Sequence, residues 1–136
     1  KMNYKTGQKL DKWTFLVKQE YLVTWSQVLN DPNPIHLDNK KVEELGLGNK
    51  CINQGPANIA YILNCISSNF PEYQLIKINN KLNGNVFADD RVTIEGQISD
   101  IEKKKDYLIV SLFLDLHTQN QNNVLSSNAV IRLPNR

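Results

Sequence analysis

"GPANIAYILNCISSNF", residues 55–70, decides how the chain folds. Pro56 suits the first turn of a helix, where its missing N–H satisfies no partner anyway. Pro71 marks the other end, because a residue preceding proline is pushed out of the α region. Between them Ala57, Ile59, Ala60, Ile62, Leu63 and Ile66 cover most of the helix circumference. A helix of that kind is expected to be buried on several sides. Cys65 falls in the same pattern, where an unpaired cysteine acts as a small hydrophobe.

After Pro71 the apolar period changes from helical to two. "LIKINNKLNGNV" sets Ile76, Ile78, Leu82 and Val86 on one face. "RVTIEGQISDI" sets Val92, Ile94 and Ile98 on one face and Arg91, Thr93, Glu95 and Gln97 on the other. "EKKKD" is a charged hairpin tip. Leu108, Val110, Leu112, Leu114 and Leu116 align in the next strand. "QNQNN" turns the chain, and "SNAVIRL" makes the last strand.

Before the long helix, "WTFLVK" (13–18) alternates as a strand. In "QEYLVTWSQVL", Tyr21, Leu22, Trp25, Val28 and Leu29 fall at helical spacing. That helix is expected to stop at Asn30, since Asp31 precedes a proline. "DNKKVEELGLG" (38–48) reads as a short helix capped by Asp38 and ended by Gly46. Helices followed by a run of strands predict an α+β domain whose antiparallel sheet curls round the apolar helix.

The 136 residues suit one domain, 1–136, large enough to bury a core without disulfides. A net charge of +2 gives no footprint for nucleic acid. No stretch approaches the roughly 18 apolar residues of a membrane span, and the N-terminus lacks a signal-peptide pattern. Cys51 and Cys65 form no framework, which points to a reducing, cytoplasmic setting.

Two stretches could carry chemistry. "DPNPIHLD" (31–38) holds two carboxylates, a histidine and two prolines. Pro32 and Pro34 fix their own φ and restrict Asp31 and Asn33 before them. The segment could hold Asp31 and His36 in one arrangement about a substrate, as a carboxylate–imidazole pair for proton transfer. By composition alone a stiff turn is the stronger reading. No second histidine lies near in sequence, so a metal site is not expected; His117 reads as structural or exposed. In "NQGPA" (53–57) a helix begins, so N–H groups of Gly55 and its neighbours, Ala57 among them, are available to polarise a carbonyl. An ordinary loop-to-helix junction would look the same.

Together, Asp31, Asn33, Pro34, Ile35 and His36, with Gly55 at a fitting distance, resemble the MaoC-like (R)-specific enoyl-thioester hydratase family, as does "NVFADDRV" further on. The resemblance implies a hotdog fold, an antiparallel sheet wrapped round a central helix. It implies a hydro-lyase that adds water to a trans-2-enoyl thioester, giving an (R)-3-hydroxyacyl thioester, or the reverse. Asp31 and His36 would grip and activate the water, and the Gly55 N–H would bind the thioester oxygen. Asn33 and Pro34 would support the loop, and residues 38–54 would cover the acyl pocket. No metal or redox cofactor is implied; coenzyme A or acyl carrier protein would carry the substrate, and a homodimer or higher homo-oligomer is expected. The chain departs from the family pattern at Asn30 (often glycine or acidic), Gln54 (commonly histidine) and Asp89 (usually glycine). A hotdog thioesterase is one rival, disfavoured because no Asp, Glu or His lies between Gly55 and Phe70. A non-catalytic acyl-thioester-binding subunit is the other.

Overall fold

The structure, a computed structural model, describes residues 3–136. Its elements run β1 (Trp13–Leu16), α1 (Gln19–Val28), a 3-10 turn (Pro34–His36), α2 (Asn39–Glu44), α3 (Gly55–Asn69), β2 (Gln74–Leu82), β3 (Arg91–Lys103), β4 (Tyr107–Thr118) and β5 (Leu125–Pro134). The strands form one antiparallel sheet in the order β1-β3-β4-β5-β2. Among the described residues, no helix is long and apolar enough to cross a membrane.

Alternation along the strands builds the core. Val92, Ile94 and Ile98 of β3 are fully buried, as are Val110, Leu114 and Leu116 of β4 and Leu125 and Ile131 of β5. They pack in one cluster with Ala57, Tyr61, Ile62, Cys65 and Ile66 of α3. Burying one such side chain stabilises by about 1.5–3 kcal/mol. A one-residue slip of β4 would turn the whole row to solvent, so the pattern also fixes register. Register shifts between Ile98 and Asp100 and between Leu75 and Lys77 bend β3 and β2. Such bulges increase local twist, and a twisted sheet can curl over α3. At Gly96 a Cβ would come 2.7 Å from the Phe113 carbonyl oxygen and 3.0 Å from Leu114 Cγ, so only glycine fits that position.

Two apolar patterns end up differently from their sequence reading. In α1, Leu22 and Ser26 are the buried residues, while Val28 is 70% exposed. The helix is anchored by polar contacts near its middle, and its last turn overhangs the core. In β2, the strand ends at Leu82, the bulge takes Ile76 out of register, and Val86 is buried beyond the strand. Ile76 and Leu82 are 52% and 53% exposed because β2 is the sheet edge and α3 lies over β1, β3 and β4. For the same reason α3 is not buried all round: Ile59, Ala60 and Leu63 are only half-buried.

The end of α1 sets up the next segment. The Asn30 N–H donates to the Gln27 carbonyl at 3.3 Å and the Asp31 N–H to the Ser26 carbonyl at 2.9 Å. This bond pair is the Schellman ending, and it needs a left-handed residue at Asn30, whose φ is 51°. Glycine and asparagine take that conformation at least cost. The helix therefore stops through Asn30 as well as through the proline at 32. Asn30→Val should cost about 1–2 kcal/mol in chemical denaturation, whereas Asn30→Gly should stay within about 0.5 kcal/mol. Equal losses in both variants would contradict this origin of the helix end.

Candidate active site

From Asp31 to His36 the chain is braced by its own polar groups. Asp31 Oδ1 accepts from the Asn33 N–H at 3.2 Å, and Asn33 Oδ1 accepts from the Ile35 N–H at 3.2 Å. Asn33 thereby caps the 3-10 turn that Pro34 begins. The His36 N–H donates to the Asn33 carbonyl at 3.1 Å. Gln19, at the start of α1, donates its side-chain amide to the His36 carbonyl at 3.0 Å. The prolines limit the alternatives, and these bonds select one arrangement.

His36 is buried and Asp31 is partly exposed. The His36 Nδ1 lies 2.6 Å from the Ile52 carbonyl oxygen, and its Nε2 lies 3.2 Å from Asp31 Oδ2. A carbonyl can only accept, so Nδ1 carries the proton. In the neutral ring Nε2 is then bare and faces a carboxylate oxygen that is also an acceptor. Two acceptors at this separation are reconciled by a proton, which makes an ion pair, or by a water that donates to both. The pair is thus arranged to hold a water and to accept a proton from it.

Ile52 lies three residues before Gly55, which opens α3. The Ala57 N–H donates to the Gln54 carbonyl at 3.0 Å, and Asn58 does so at 3.3 Å. Ala57 is therefore not an available donor, contrary to the sequence reading. Pro56 has none. Among the described residues no acceptor meets the Gly55 N–H. A Cβ on Gly55 would sit 3.8 Å from Leu82 Cδ1, an ordinary contact, and Gly55 has no left-handed φ. Packing within this chain does not require glycine there. Close approach of a ligand to the backbone would.

Asp38 stays out of this arrangement: it caps α2, accepting from the Lys40 N–H at 3.0 Å. His117 lies on β4 opposite Thr93, on the sheet face turned away from α3. Burial pushes the Cys65 thiol up to about 11 and raises that of Cys51, so neither is a ready thiolate. Asp89, where the resemblance leads to an expectation of glycine, takes a left-handed φ of 73° and receives Lys50 Nζ at 2.7 Å.

Sequence reasoning missed the buried polar groups before α3. Gln54 Nε2 donates to the Leu22 carbonyl at 2.9 Å and to Ser26 Oγ at 3.0 Å. Asn53 Nδ2 donates to Asn58 Oδ1 at 2.8 Å and to the Tyr61 hydroxyl at 3.1 Å. Asn53 Oδ1 and Gln54 Oε1 are buried without a partner. Each such oxygen costs about 1–3 kcal/mol. Two amides placed directly before an apolar helix were the available signal.

No family model matches the chain, and no curated protein matches it by sequence. Solved structures do resemble it. The (R)-hydratase from A. caviae involved in PHA biosynthesis superposes with a TM-score of 0.87 at 19% identity, over 98% of this chain and 100% of that one. The MaoC-like dehydratase from Rhodospirillum rubrum gives 0.82 at 19% identity, over 97% and 94%. The HadBC 3R-hydroxyacyl-ACP dehydratase complex from Mycobacterium tuberculosis gives 0.72 at 11% identity, over 93% and 96%. With its five-stranded antiparallel sheet and central α3, the chain has the hotdog fold of the MaoC-like hydratases and dehydratases.

Proposed function

We propose that this chain is a MaoC-like hydro-lyase that adds water to a trans-2-enoyl thioester, giving an (R)-3-hydroxyacyl thioester, or runs the reverse dehydration. The observation that carries this reading is His36 Nε2 set 3.2 Å from the Asp31 carboxylate while Nδ1 is held at the Ile52 carbonyl. A water held by both atoms has its oxygen lone pairs free for attack. It loses one proton to the pair as its oxygen bonds to C3. The C2=C3 electrons shift toward the thioester oxygen, where the Gly55 N–H stabilises the enolate. C2 then takes a proton from the pair, so the net change is addition of one water. Asn33 and Pro34 hold the loop, and the R configuration is taken from the family. The reaction calls for no metal or redox cofactor; coenzyme A or acyl carrier protein carries the acyl group. The unpaired, buried Cys51 and Cys65 fit a cytoplasmic setting.

Two copies are proposed to pair through the edge strand β2, where Ile76 and Leu82 lie exposed. An apolar edge strand left open is an association surface. Light scattering should give a dimer for the wild type and a monomer for Ile76→Lys. A monomeric wild type, or a dimeric variant, would refute this interface.

Purified protein should bleach the enoyl-thioester absorbance of crotonyl-CoA or a longer trans-2-enoyl-CoA. Asp31→Asn should lower that rate about 10²–10⁴-fold. No turnover on any chain length would sink the hydratase reading. Release of free thiol without hydration would point to a thioesterase instead.

A further inference from the structure

Gln54 adjoins Gly55 in the chain, and its side chain reaches α1, the helix that leads into Asp31. Its side chain is 1% exposed. Both Nε2 hydrogens go to α1, one to the Leu22 carbonyl and one to Ser26 Oγ. The Leu22 carbonyl can only accept, so the amide cannot be flipped without setting oxygen against oxygen. Ser26 in turn accepts the Asp31 N–H on its carbonyl at 2.9 Å. On the other side, Gly55 follows Gln54 directly and opens α3. The amide thus ties α1, whose end leads through Asn30 into Asp31, to the helix start that presents the Gly55 N–H. Gln54 Oε1 remains buried and unpaired. An apolar side chain would avoid that cost but would give up both bonds to α1.

We propose that Gln54 is a positioning residue, setting the separation between the water held at Asp31 and the thioester oxygen held at Gly55. What it positions rests on the hydratase reading; the mechanical coupling does not. Addition across a conjugated enoyl thioester needs the attacking oxygen and the carbonyl oxygen at fixed places along one planar unit. An error of about 1 Å there costs on the order of 10²-fold in rate. Gln54 contacts no reacting atom, so its effect passes through Asp31.

The test compares wild type, Gln54→Leu, Asp31→Asn and the double variant, with two readouts. Crotonyl-CoA hydration should fall on the order of 10²-fold in Gln54→Leu, and little further when Gln54→Leu is added to Asp31→Asn. Gln54→His, which restores an N–H donor, should recover part of the rate. Independently of turnover, the Asp31 amide should exchange hydrogen roughly 5- to 10-fold faster in Gln54→Leu, while the Leu112 amide in β4 stays unchanged. Should Gln54→Leu fail to fold, Ser26→Ala removes one of the two bonds and should show the same local effect, smaller. Uniform acceleration at Asp31 and Leu112, an unchanged Asp31 amide, or fully additive rate losses would overturn the proposal. A wild type with no hydration would sink the assigned reaction, and the exchange comparison alone would then decide the coupling.

Discussion

The hydrogen bond from His36 Nδ1 to the Ile52 carbonyl, at 2.6 Å, is the constraint on which the site depends. It fixes the tautomer, and so leaves Nε2 free toward Asp31. It also ties a proline-stiffened loop to a segment that cannot shift. The Ala88 N–H donates to the Cys51 carbonyl at 2.9 Å, the Asn53 N–H donates to the Val86 carbonyl at 2.7 Å, and Ile52 pairs with Phe87. That segment runs straight into Gly55. A loop residue, a helix end and the start of the buried helix are therefore held in one frame, as a precise polar site requires.

Stability and function draw on different parts of the chain. The core rows of β3, β4 and β5 against α3 supply the apolar burial. Several locally unfavourable choices lie near the site, a left-handed Asn30 and unpaired oxygens on Asn53 and Gln54, and others lie away from it, an unpaired Asp115 Oδ1 on β4 and a left-handed Asn123 in the turn before β5. Such costs persist where the surrounding structure over-determines them. The core is what offsets them.

Much of this was legible in the sequence, for reasons that differ by element. The strands β3 to β5 announced themselves because one face is buried and the other solvated, which forces alternation. The helix α3 was marked by its proline ends and apolar run. The surface of β2 was not legible: period two reports a strand face, and nothing in it says whether a helix covers that face. The orientation of α1 failed for a related reason, since its anchor is Gln54 reaching Ser26, a contact 28 residues away that no periodicity encodes. At the site, residue type alone read Asp31 to His36 as a stiff turn and Gly55 as a helix junction; the family resemblance singled out Asp31, His36 and Gly55, and their mutual geometry came only with the fold. Asn30 and Asp89, departures from the expected pattern by residue type, both take a left-handed backbone here.

The most direct measurement is the protonation of the His36 ring by nitrogen-15 NMR, at a pH where the imidazole is neutral. The account predicts a proton on Nδ1, coupled to the bond with Ile52, and an unprotonated Nε2. A neutral ring with its proton on Nε2 would contradict it, because no acceptor would then face Asp31 to hold and deprotonate a water.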